Sequence, residues 1–141
     1  MKIKNSFLLL VSLLILLSCN SESKSHLKFR FRVVDTVAEY RIYFYTRVLS
    51  DFKKESLPLV MTVMSPDGKR FRDTISFPLV SKNNYGGIEE AKSGVWRDVR
   101  WLYRDGVTFP KTGLWVFTIN HLTSKNDLSG IGELGLTLKE K

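Results

Sequence analysis

One thiol, two imidazoles and fourteen carboxylates are the side chains this 141-residue chain offers to chemistry. Their spacing gathers almost none of them. His26 and His121 are more than ninety residues apart and lack the short ligand spacing of a zinc site. The chain has no Gly-x-Ser-x-Gly turn to present a serine nucleophile and no Gly-rich loop to cradle a phosphate. Glu89 and Glu90 are sequence neighbours, whereas glycoside hydrolysis needs two carboxylates facing each other across a cleft. The expectation is a protein with no catalytic residues, no cofactor and no metal.

The thiol is different. Cys19 is the only cysteine, and it directly follows Leu16-Leu17-Ser18. Upstream lie Lys2 and Lys4 and then the apolar run from Phe7 to Leu17, eleven residues long. A charged start, a short apolar stretch and a small residue make a cleavable secretory signal. A membrane-spanning helix would need about 20 apolar residues. The Leu-x-Ser-Cys order resembles a bacterial lipobox, in which the cysteine sulfur is acylated and the chain is cut between Ser18 and Cys19. A buried acyl chain contributes about 0.8 kcal/mol per CH₂, and two or more chains anchor stably. Cys19 is therefore the expected lipidation site, and the membrane is the first partner.

Cleavage would remove residues 1–18 and leave 123 residues, enough for one domain with a real core. No disulfide is possible once Cys19 is consumed. The formal charge falls from +8 to +6 with Lys2 and Lys4 gone. Lys28, Arg30, Arg32, Arg70, Arg72, Arg97, Arg100 and Arg104 alternate with apolar residues. That pattern reads first as the wet face of strands, and second as attraction to an acidic envelope glycolipid or an acidic protein. An exported, lipid-anchored domain gives no reason to expect nucleic acid.

The elements that would position these residues are strands. After a polar tether over 19–26, Phe29, Phe31 and Val33 alternate with Lys28, Arg30 and Arg32. Tyr40, Ile42 and Phe44 alternate with Arg41, Tyr43 and Tyr45, and aromatics on both faces predict a central strand. Leu57 to Met64 and a return strand flank Ser65-Pro66-Asp67-Gly68, a hairpin turn in which Pro presets φ and Gly accepts φ > 0. The return strand is expected to turn Phe71, Ile75 and Phe77 inward. Asp73 shares their parity, so either an Arg meets it or it sits at an exposed edge or bulge, the latter preferred.

Pro78 to Val95 is the least regular stretch and reads as a long loop. Trp96 opens the next strand, Asp105-Gly106 is expected to turn the chain, and Leu114 to His121 is expected to be a core strand carrying Trp115, Phe117 and Ile119. Leu134, Leu136 and Leu138 close the pattern. The fold expected over 27–141 is all-β, an antiparallel β-sandwich of seven to eight strands. Of the aromatics, Trp101 and Trp115 read as core. Tyr85 and Trp96, flanking the irregular stretch, are the candidate exposed pair for stacking on a sugar, which makes a glycan the alternative partner.

Four segments also carry a resemblance. Tyr40-Arg41-Ile42-Tyr43-Phe44-Tyr45-Thr46-Arg47 resembles the Tyr-rich strand of the gliding-motility lipoprotein family GldH. Ser65-Pro66-Asp67-Gly68-Lys69 is similar to its hairpin, and Phe109-Pro110-Lys111-Thr112-Gly113-Leu114-Trp115-Val116-Phe117-Thr118-Ile119 to its Phe-Pro-x-x-Gly-x-aromatic-x-Phe-x-Ile signature. Leu128-Ser129-Gly130-Ile131 through Gly135-Leu136 resembles its closing strand. The chain departs from the family pattern at Tyr85-Gly86 and at Leu122-Thr123. The resemblance implies a Bacteroidetes cell-envelope lipoprotein, non-enzymatic and required for surface gliding alongside other envelope proteins. Asn20, where an inner-membrane retention signal often has Asp, favours the outer membrane.

Overall fold

In the computed structural model, residues 26–81, 87–122 and 129–141 are described, and every regular element among them is a strand. These are β1 (Leu27–Val33), β2 (Tyr40–Leu49), β3 (Ser56–Met64), β4 (Arg70–Pro78), β5 (Ile88–Ser93), β6 (Trp96–Val107), β7 (Gly113–His121) and β8 (Ile131–Glu140). They form two antiparallel sheets, ordered β1-β7-β3-β4 and β5-β6-β2-β8. The chain passes from one sheet to the other at every connection except the β3–β4 and β5–β6 hairpins. The expected all-β sandwich is what the chain adopts.

Alternation dictates the core. Period-two strands place every second side chain between the sheets. Phe44 of β2, Phe77 of β4 and Phe117 of β7 are fully buried there. Trp101 stacks on Phe77, with centroids 5.7 Å apart and planes 16° from parallel. At one end Phe31, Tyr40, Phe109 and Trp115 form a second aromatic cluster. The Trp115 indole N–H is satisfied by the Lys111 carbonyl at 3.0 Å. β2 lies between β6 and β8, central as expected, and β7, expected to be a core strand, lies between β1 and β3.

The Pro-Asp-Gly hairpin forms as expected. Gly68 (φ 85°) donates to the Ser65 carbonyl, and the Ser65 amide donates to Lys69. Gly113, at φ 125°, opens β7 beside that turn. A Cβ there would lie 3.0 Å from the Pro66 ring, and Lys111 pairs with Asp67. Two of the segments that carry the family resemblance are thus in contact with each other.

Four expectations need correction. The stretch from Pro78 to Val95 is not a loop throughout, because β5 occupies Ile88–Ser93 and pairs along β6. Its side chains are mostly exposed edge residues, so no alternation marks it. Asp105-Gly106 does not turn the chain. β6 runs on to Val107, and the register against β2 slips on both sides of Ile42, with Gly106 at φ 73° taking up the distortion. Phe71 has inward parity but is 57% exposed, since it lies on edge strand β4 beyond the point where the sheets close on each other. Arg97, read as a wet-face cation, is buried at 6% exposure.

Candidate functional site

Where the sheets part, between β4 and the C-terminal half of β6, they leave an open cleft of about 350 Å³. Its floor belongs to the core: Met61, Phe109, Trp115 and Phe117. Phe71 and Tyr103 wall it, and Arg72, Asp73 and Arg104 stand at the rim. In a regular strand, consecutive residues point to opposite faces. Tyr103 and Arg104 both reach this cleft because the β6 register slips beside Ile42.

The rim is tied together. The Tyr103 hydroxyl donates to Asp73 Oδ2, and the Arg104 guanidinium lies 4.4 Å above the Tyr103 ring and 3.9 Å from the Asp73 carboxylate. Burial, and then the bond to Asp73, push the Tyr103 phenol up to about 12. It is a fixed hydrogen-bond donor at neutral pH, not a base. Asp73, the parity exception in the sequence, is an exposed edge residue as preferred, and it also meets an Arg. Among the described residues, no Cys, His or Ser lines the cleft. What the arrangement can do is bind an apolar group with polar contacts around it.

Of the residues singled out from sequence, most of those described lie away from this cleft. Ser18, Cys19 and Tyr85 lie outside the described residues. Trp96 is half-buried at the opposite end of β6, with its ring over Gly132, where a Cβ would come within 2.9 Å. Trp101 is half-buried and packs against the core, and Tyr103 walls the cleft. Tyr45 donates to Asp98 at 3.1 Å, while Arg47 donates to both oxygens of the same carboxylate at 2.8 and 3.2 Å. The bonds from Arg47 hold Asp98 below the usual carboxylate range. Arg100 lies 4.5 Å over Tyr43 and 2.9 Å from Glu89. Glu89 and Glu90 point to opposite faces, and Glu90 meets Arg97 at 3.6 Å. Sequence reading passed over Arg72, Arg104 and Phe71 as site residues. The one usable signal was Asp73, a carboxylate at an apolar parity.

The family profile described as GldH lipoprotein matches residues 21–138. The chain belongs to the GldH lipoprotein family. Over 121 residues it is 26% identical to a protein of Christiangramia forsetii described as a gliding motility lipoprotein GldH homolog, covering 80% of this chain and 70% of that one. No solved structure matches it. In this GldH-family chain the segments that carry the likeness are mainly packing segments: Phe109, Trp115, Phe117 and Ile119 are all buried, and Gly113 sits against the hairpin turn. The cleft rim comes from residues between them.

Proposed function

We propose that this GldH-family protein is an acyl-anchored accessory component of the gliding motility machinery, held at the outer membrane through Cys19 and acting without catalysis by gripping a protein neighbour in the envelope. The observation that carries the protein-binding part is the cleft. It joins an apolar floor to an exposed aromatic, Phe71, and to a rim with both signs of charge, the combination that seats an apolar side chain of a partner and fixes its orientation. Family membership and the name of the Christiangramia forsetii relative support the gliding assignment. The lipobox-like Leu16-Leu17-Ser18-Cys19 supports the anchor.

The test is to isolate the detergent-solubilised native lipoprotein and identify both its N-terminal peptide and its companions by mass spectrometry. An acylated Cys19 and a reproducible envelope companion, lost in Phe71→Glu and kept in Phe71→Leu, are expected. Phe71 is exposed on an edge strand, so the charge disturbs the cleft without emptying the core. A companion indifferent to Phe71→Glu removes the cleft from the account. Glycan binding that vanishes in Trp96→Ala would move the function to carbohydrate.

A further inference from the structure

The two outer faces of the sandwich differ in how many of their cations are paired. On the β5-β6-β2-β8 face, Arg47 and Arg100 are spent on Asp98 and Glu89. On the β1-β7-β3-β4 face the outward positions carry Lys28, Arg30 and Arg32 on one edge strand and Arg70 and Arg72 on the other, all exposed. Among the described residues none of these five has a carboxylate within ion-pair distance, and no acidic residue occupies an outward position of the four strands.

Register makes the pattern regular. Lys28, Thr118, Thr62 and Arg72 form one row across the sheet, and Arg30, Val116, Met64 and Arg70 form the next. Each row reads cation, neutral, neutral, cation. With strands about 4.8 Å apart, the two cationic edges stand roughly 14 Å from each other. Between them lies a depression of about 310 Å³, floored by Thr62, Met64, Val116 and Thr118.

We infer that this face lies against the anionic headgroups of the membrane that holds the anchor. The inference rests on the acyl-anchor reading for its geometry. His26, at the mouth of the depression, follows Cys19 by seven residues, so the acylated sulfur can be no more than about 25 Å of extended chain away. The cations are spread over a whole sheet face with no large aromatic among them, which suits a lattice of phosphates better than a protein partner. The cleft opens on the inward side of β3 and β4, through Met61, Val63, Phe71 and Asp73, so a domain docked by the outward side leaves it open, with Arg72 bordering both.

The test places one fluorescent label on the native lipoprotein, at Thr118→Cys on this face or at Thr137→Cys on the opposite one. With Cys19 acylated, the new thiol is the only one available. The protein is reconstituted into phosphatidylcholine vesicles with or without about 30 mol% phosphatidylglycerol, each carrying a quencher on the lipid. Quenching of Thr118 but not Thr137, only in anionic vesicles and relieved by about 0.5 M salt, is expected. Each basic residue at an anionic surface is worth about fivefold in partition, so Lys28→Gln with Arg30→Gln and Arg32→Gln should weaken docking about a hundredfold. Lys53→Gln with Lys92→Gln and Lys139→Gln removes the same charge elsewhere and should leave docking unchanged.

Equal quenching of the two labels, or quenching indifferent to the triple change on β1, overturns the inference. So does a Thr118 label that lipid never quenches but that cross-links to an acidic protein in native envelopes. Failure of the anchor reading shows separately, as loss of flotation with neutral vesicles and an unacylated N-terminal peptide, while the label in anionic vesicles still reports on the face.

Discussion

Arg97→Met should destabilise the domain more than any other single change of a charged side chain. Arg97 is 6% exposed, and its guanidinium donates at 2.6 Å to the carbonyl of Leu79, a residue with no exposure at all. Leu79 is the first residue after β4, so this bond ties the end of one sheet to β6 of the other. Met keeps most of the apolar stem and removes the donor, leaving a buried carbonyl unpaired at a cost of about 1–3 kcal/mol. The pair with Glu90 adds little. Its atoms are 3.6 Å apart and the Glu90 side chain is 32% exposed, so water takes over most of what Arg97 supplied, within about 1 kcal/mol. The sum is about 1–4 kcal/mol, which at a urea m-value of about 1.3 kcal/mol/M lowers the unfolding midpoint by roughly 0.8–3 M. Urea titration followed by tryptophan fluorescence measures it. Glu90→Gln should cost less than about 1 kcal/mol in the same assay. If Glu90→Gln costs as much as Arg97→Met, the ion pair and not the Leu79 carbonyl is what Arg97 serves, and the reasoning fails.

Two further predictions concern pH. Hydrogen bonds from Lys111 and then Ser65 lower Asp67 to about 2, below its value in an unfolded chain, so the stability it lends is complete above about pH 4 and is lost as pH falls towards 2. Urea midpoints measured across that window should fall less steeply in Asp67→Asn than in the parent chain. Tyr103 is shifted the other way, with its folded value of about 12 above the usual 10, so its contribution is complete below about pH 10 and lost as pH climbs through 12. Tyrosine absorbance should show a late ionisation that disappears in Tyr103→Phe and moves earlier in Asp73→Asn. A Tyr103 that ionises near pH 10 in the folded chain would mean that the bond to Asp73 is not held in solution.

Alternation made the core strands legible because it is the direct imprint of a half-buried sheet. β2 and β7 were readable residue by residue: Tyr40, Ile42 and Phe44 are buried while Tyr43 and Tyr45 are not, and Trp115, Phe117 and Ile119 face the core. The misses share a cause. Parity says which way a side chain points but not where the opposing sheet ends, so Phe71 points inward and is still 57% exposed. Charge predicts water, and Arg97 contradicts it because a carbonyl on a distant stretch supplies the partner. β5 was hidden because an edge strand with little burial has no apolar rhythm. The cleft was illegible for a further reason. It depends on a register slip in β6 that brings two consecutive residues, Tyr103 and Arg104, to one side, and no alternating pattern encodes that.

This has a consequence for where function can be sought in the GldH family. Gly113 excludes a side chain because Pro66 lies against it, Lys111 reaches back to Asp67, and Phe109, Trp115, Phe117 and Ile119 fill the core beside that junction. The Pro-Asp-Gly turn and the Phe-Pro-x-x-Gly segment are therefore two halves of one packing contact. Residues of that contact serve folding. The two surfaces with unspent chemistry lie outside it: the rim of Phe71, Arg72, Asp73 and Arg104, and the unpaired cations of β1 and β4. β4 contributes Phe71 and Asp73 to the first through its inward positions and Arg70 to the second through an outward one, while Arg72 borders both. One edge strand thus borders both surfaces, and a domain lying on its basic face would carry the cleft at its margin, where a membrane neighbour can reach it.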